Sequence, residues 1–129
     1  PHGLANAIML PFVLKYSHPA IIDRLAQLAV AARVGNASES DDALAQKFLD
    51  AVDQLNQDLG IPTSLAALKE SDIPALAKAA CREAHTGYPV PRYMSQEVCE
   101  HLIRQALPPA QPPAQTPVQA APKRRKKTP

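Results

Sequence analysis

Apolar residues recur along this chain every three or four positions, in blocks separated by short polar stretches. Over residues 3–17, Leu4, Ala7, Ile8, Leu10 and Val13 spread a broad apolar surface around a predicted helix, and Pro11 in its middle predicts a kink. Ile21, Ile22, Leu25, Leu28, Ala29 and Ala32 follow at helical spacing, with Pro19 suited to a first turn and Gly35–Asn36 as the expected stop. "NASESDD" reads as a polar connection rich in capping residues. A third helix is predicted from Asp41 to Leu59 on Leu44, Phe48, Val52, Leu55 and Leu59, ended by Gly60.

The next block, "IPTSLAALKESDIPALAKAACREA", predicts a turn, a short helical stretch and a longer helix. Ser71 or Asp72 would cap that helix and Pro74 sit in its first turn, while Ile73, Leu76, Ala77, Ala80 and Cys81 would be buried. "HTGYPVPR" is expected to leave the helix, because Pro89 and Pro91 push their predecessors into extended backbone. A last helix should start at Ser95 and present Val98, Leu102, Ile103 and Ala106 on one face. No segment alternates with period two long enough to make a strand, so the expected fold is an all-α helical bundle.

Composition agrees with that reading. Only 4% of residues are aromatic and Trp is absent, which suits helices packed through small and aliphatic side chains. The net charge of +2 conceals an asymmetry: residues 1–107 carry nine bases against twelve acids, whereas "KRRKK" at 123–127 ends a segment without any acid. That segment, 108–129, repeats PPAQ and is expected to be a disordered tail with a polyproline II bias. Cys81 and Cys99 are too few for a disulfide framework and fall on inward-facing helix positions, so reduced buried thiols are expected. No apolar run reaches transmembrane length, and the first residues lack a signal peptide's basic flank and cleavage site. A cytoplasmic, reducing setting is the expectation.

The residues alone show no complete active site. His2, His18, His85 and His101 include no i, i+4 pair for a metal. There is no nucleophile elbow, and four scattered glycines make no phosphate loop.

The segments taken together have a family likeness. "PHGLANAIMLPFVLKY", "RLAQLAVA", "DLGIPTSLAALKESDIPALAKAA" and "GYPVPRYMSQEVCEHLIRQAL" occur in the order found in the C-terminal helical domain of iron-containing (group III) alcohol dehydrogenases, which residues 1–107 resemble. The resemblance implies the dehydroquinate-synthase-like helical fold, preceded in the family by a nucleotide-binding domain. It implies a divalent metal, iron or zinc, held in the cleft between the domains by one Asp and three His. His2 matches the last of those His, and Gly3 would let the backbone pass close to the cleft. The other ligands, and the glycines that hold the cofactor pyrophosphate, lie upstream in the family, so the chain is expected to be the back part of an enzyme. The activity implied is hydride transfer between a small alcohol or aldehyde and NAD(P), in a homo-oligomeric complete enzyme, with the chain alone inactive.

Two departures stand out. Where many members carry a Cys-containing "NPR" stretch, this chain has "HTGYPVPR", so His85 is the candidate cofactor- or substrate-facing residue, with a solvated loop residue as the alternative. His18 is expected to be a cap or surface residue and His101 to be solvated. The basic tail is the second departure and supports the alternative function, a small helical interaction module that binds nucleic acid or another polyanion. No aromatic residue accompanies it to stack on bases, and a membrane partner is not expected.

Overall fold

The computed structural model describes residues 2–87 and 90–109. Five α-helices and no strand are found among them: α1 His2–Ser17, α2 Ile22–Ala31, α3 Asp41–Asp58, α4 Ile73–Gly87 and α5 Gln96–Arg104. The expected tail lies outside the described residues from Ala110 onward, "KRRKK" included. No helix among the described residues is long and apolar enough to cross a membrane.

The bundle is built from two helix pairs with α1 laid against both. α2 packs along α3, α4 along α5, and α1 touches α3 and α5. Between α2 and α3 the core is Leu25, Ala45 and Leu49, flanked by Ala26, Ala29 and Leu44, with Phe48 filling the seam. Three of those six are alanines, which lets the helix axes come close. The second pair buries Ile73, Ala77, Cys99, Leu102 and Ala106.

The caps explain where the helices start and stop. The Ser40 hydroxyl accepts from the Ala43 amide and the Ser95 hydroxyl from the Val98 amide, each at 3.3 Å, as expected for N-caps of α3 and α5. Gly60, at φ 65°, ends α3 with Gly60 N–H donating to the Gln57 carbonyl and Ile61 N–H to the Asn56 carbonyl. The same pair of bonds ends α2, but the left-handed residue there is Arg33, at φ 60°, before the expected Gly35–Asn36 stop. Gly35 has a different use: a Cβ on it would run into the Leu44 side chain, which is buried and would have to shift, so glycine suits the turn that lies on α3.

Pro11 is the main irregularity of α1. It has no N–H to offer the Ala7 carbonyl four residues back. The Asn56 side-chain amide of α3 donates to that carbonyl instead, at 2.9 Å. The break in the helix's own ladder thus becomes a link between helices, reinforced one turn along by a 2.6 Å ion pair between Lys15 and Asp53.

Several expectations are corrected. Pro19 lies in a separate 3₁₀ turn, His18–Ala20, before α2 begins. Leu28, Leu55, Leu59 and Leu76 are exposed, as are Ala32 and Ala80, while Ala26, Ala45 and Leu49 take the inward positions. The short helical stretch before α4 is a 3₁₀ turn, Glu70–Asp72, and the Ser71 hydroxyl donates to Asp72 instead of accepting from the helix. α4 runs through His85 and Thr86 to Gly87, because Pro89 restricts only its immediate predecessor and leaves residues 85–87 free to be helical.

Candidate functional site

α1 has no single apolar face: its apolar residues are spread around the helix, a pattern that suits helices covered on more than one side. Within the described residues it is covered on one side only. His2, Asn6, Leu10 and Val13 are spaced to share a face, and that face is exposed, Leu10 at 45% and Val13 at 39%. The strip begins at His2, whose ring is exposed and whose Nε2 lies 3.2 Å from the Asn6 side-chain nitrogen, one turn further along. A Cβ on Gly3 would meet no atom within 4 Å, so none of the described residues demands a glycine there.

At its other end the strip reaches the loop between α4 and α5. Arg92 donates to the Tyr16 carbonyl at 2.8 Å and places its guanidinium 4.3 Å above the Tyr16 ring. The Tyr16 hydroxyl returns a bond to the Tyr93 carbonyl at 2.5 Å. These contacts strap the loop to α1. The Tyr93 ring, 70% exposed, stacks on the His85 ring with centroids 4.8 Å apart and planes 18° from parallel. His85 Nε2 is 3.2 Å from the Met94 carbonyl, so the ring is held from the side as well as the face. Below the stack lies a cavity of about 90 Å³ bordered by Val13, Cys81, Ala84, Met94 and Cys99.

His2 and His85 are therefore not in contact. They stand at the two ends of one exposed strip, separated by about 16 Å of helix rise between His2 and Val13. Among the described residues no three His, Cys, Asp or Glu side chains are grouped to hold a metal ion, so His2 by itself could give a metal no more than one imidazole nitrogen. That is chemically suited to iron or zinc, which take imidazole readily. His101 is exposed, as expected. His18 is not a surface residue: it is half-buried, and its Nε2 is shut away from solvent without a hydrogen-bond partner. Both cysteines are free, Cys99 buried and Cys81 half-buried.

Reading the sequence missed Asn6, Tyr93 and the Tyr16–Arg92 strap. Asn6 had a signal, since it follows His2 by one helical turn. Tyr93 and Arg92 had none, because their partners lie 8 and 76 residues away along the chain.

A profile of the Fe-containing alcohol dehydrogenase family, C-terminal, matches residues 1–107. The lactaldehyde reductase of Escherichia coli is 37% identical over 89 residues, covering 67% of this chain and 23% of that protein. The 1,3-propanediol dehydrogenase of Klebsiella pneumoniae is 32% identical over 108 residues, covering 82% of this chain and 28% of that protein. A crystal structure of a 1,3-propanediol oxidoreductase superposes with a TM-score of 0.74 at 31% identity, over 83% of this chain and 28% of that one. The chain spans about a quarter of the length of the curated relatives it matches.

Proposed function

The chain belongs to the iron-containing alcohol dehydrogenase family, and from that premise we propose that it forms the helical wall of a metal-dependent dehydrogenase, to which it gives His2 as a metal ligand. The complete enzyme would move a hydride between a small alcohol or aldehyde and NAD(P). The observation that carries this reading is the exposed strip of α1, which begins at the motif's His2 and continues to Leu10 and Val13, apolar side chains that none of the described residues covers.

The divalent metal, iron or zinc, would supply Lewis acidity that lowers the pKa of a bound alcohol. The chain's own residues do the holding. His2 binds as a neutral imidazole, and Asn6 one turn along limits the rotation of its ring. Leu10 and Val13 exclude water from the middle of the strip. At the far end His85, backed by Tyr93 and tied to Met94, offers the cofactor a flat surface well away from the metal.

The test is a chimera in which residues 1–109 follow the nucleotide-binding part of the 1,3-propanediol dehydrogenase relative. The expected result is metal-dependent reduction of NAD(P) by small primary alcohols, with no turnover from the isolated chain. A chimera that folds and binds both cofactor and metal, yet turns over no alcohol, would overturn the reading.

A further inference from the structure

Two thiols on neighbouring helices face one cavity that the dehydrogenase reading does not use. Cys81 lies in the middle of α4 and Cys99 in the first turns of α5, and the two helices pack together. Both cysteines border the 90 Å³ cavity beneath the His85–Tyr93 stack. The Cys81 thiol donates to the Met94 carbonyl at 3.7 Å, the same oxygen that His85 approaches. Burial, then the charge and hydrogen bonding of Cys81, push the Cys99 thiol up to about 11. A metal shared by Cys81, His85 and Cys99 is the competing use, but these side chains are not grouped to hold one.

We infer that Cys81 and Cys99 are a redox-modification site, converted by a hydroperoxide into an intrachain disulfide that staples α4 to α5 beneath the loop carrying Tyr93. Cys81 reacts first, because it is half-buried while Cys99 is only 6% exposed and is held as the thiol. Its thiolate attacks one peroxide oxygen, the O–O bond breaks, and a sulfenic acid and an alcohol result. The Cys99 sulfur then attacks the Cys81 sulfur, the S–O bond breaks, and the hydroxyl leaves with the Cys99 proton as water. In sum two thiols and one hydroperoxide give a disulfide, an alcohol and water, and a dithiol reverses the change.

The consequence is mechanical. The bond would close a loop of roughly 18 residues that contains His85, Arg92 and Tyr93, limiting how far the loop can move from α1. The proposed function gives neither cysteine a part in hydride transfer, so this inference stands or falls apart from the proposed activity.

The test uses the whole 129-residue chain. It is exposed to a small excess of hydrogen peroxide under native conditions, then unfolded, alkylated with iodoacetamide, weighed intact and mapped by peptide. The expected product is two hydrogens lighter at its cysteines, takes up no alkyl group, contains a Cys81–Cys99 linked peptide and reverts with dithiothreitol. Cys81→Ser and Cys99→Ser should each abolish it. It should also form faster in the folded chain than in urea, by on the order of tenfold or more, because folding holds the pair together. The inference is overturned if both cysteines are still alkylated after oxidation, if Cys81 gathers oxygen while Cys99 stays free, if only interchain dimers form, or if unfolding does not slow the reaction.

Discussion

The Asn56–Ala7 contact makes a prediction that can be worked through in energy. Asn56→Ala removes the donor from a carbonyl that Pro11 has already deprived of its helical partner. A net hydrogen bond contributes about 1 kcal/mol, and a part-buried acceptor left unpaired raises the loss to about 1–3 kcal/mol. We expect about 1.5 kcal/mol, or a fall in Tm on the order of 6–12 °C for a chain of this size. The decisive comparison is made in a Pro11→Ala background. That substitution restores an N–H to the α1 ladder, so the Ala7 carbonyl no longer depends on Asn56. There the same Asn56→Ala change should cost only about a few tenths of a kcal/mol, a coupling of about 1 kcal/mol in a double-mutant cycle. Urea unfolding followed by far-UV circular dichroism measures all four corners. Equal costs in both backgrounds would refute the reasoning, because Asn56 would then stabilise the fold by some means other than replacing the bond Pro11 removes.

Three further outcomes follow from the packing. Gly35→Ala should destabilise by about 1–3 kcal/mol in the same assay, since the new Cβ drives into buried Leu44, whereas Gly3→Ala, facing open space, should be neutral or mildly stabilising. Arg33→Gly should raise Tm by a few degrees, on the order of 1 kcal/mol, by relieving a side chain held at positive φ. Stability should also decline in alkali: with its folded-state pKa raised from 9.0 to about 11, Cys99 binds its proton more tightly folded than unfolded. Its contribution is whole below pH 9 and lost towards pH 11, so a Cys99→Ala chain should show a shallower decline over that window in thermal melts.

Much of the fold was legible because its signals are local. Ser40 and Ser95 cap the helices they precede, and Gly60 ends α3, since each device involves residues within one turn. Which ridge of an apolar helix faces inward is a tertiary matter. Periodicity favoured Leu28, Leu55 and Leu59, yet the α2–α3 seam takes Ala26, Ala45 and Leu49 beside the expected Leu25, Ala29 and Leu44, because the direction in which the two helices pack decides which ridge is covered. The end of α2 was misread because Arg33 takes a left-handed conformation that ordinarily marks glycine. At the candidate site, the motif that contains His2 was legible as the start of α1. The surface around His85 was not, because it depends on where the 90–94 loop lies and on a strap reaching back to Tyr16.

The central claim is that His2 is a metal ligand, and metal content tests it more directly than turnover does. In the chimera carrying residues 1–109, elemental analysis after dialysis should find about one divalent metal per chain, as expected for a site with its ligand set complete. His2→Ala should lower that occupancy by roughly tenfold or more at matched metal concentration, while leaving the helical signal and cofactor binding in place. Equal metal content in the two proteins would contradict the account, and α1 would then be a covering helix whose first histidine plays no part in the chemistry.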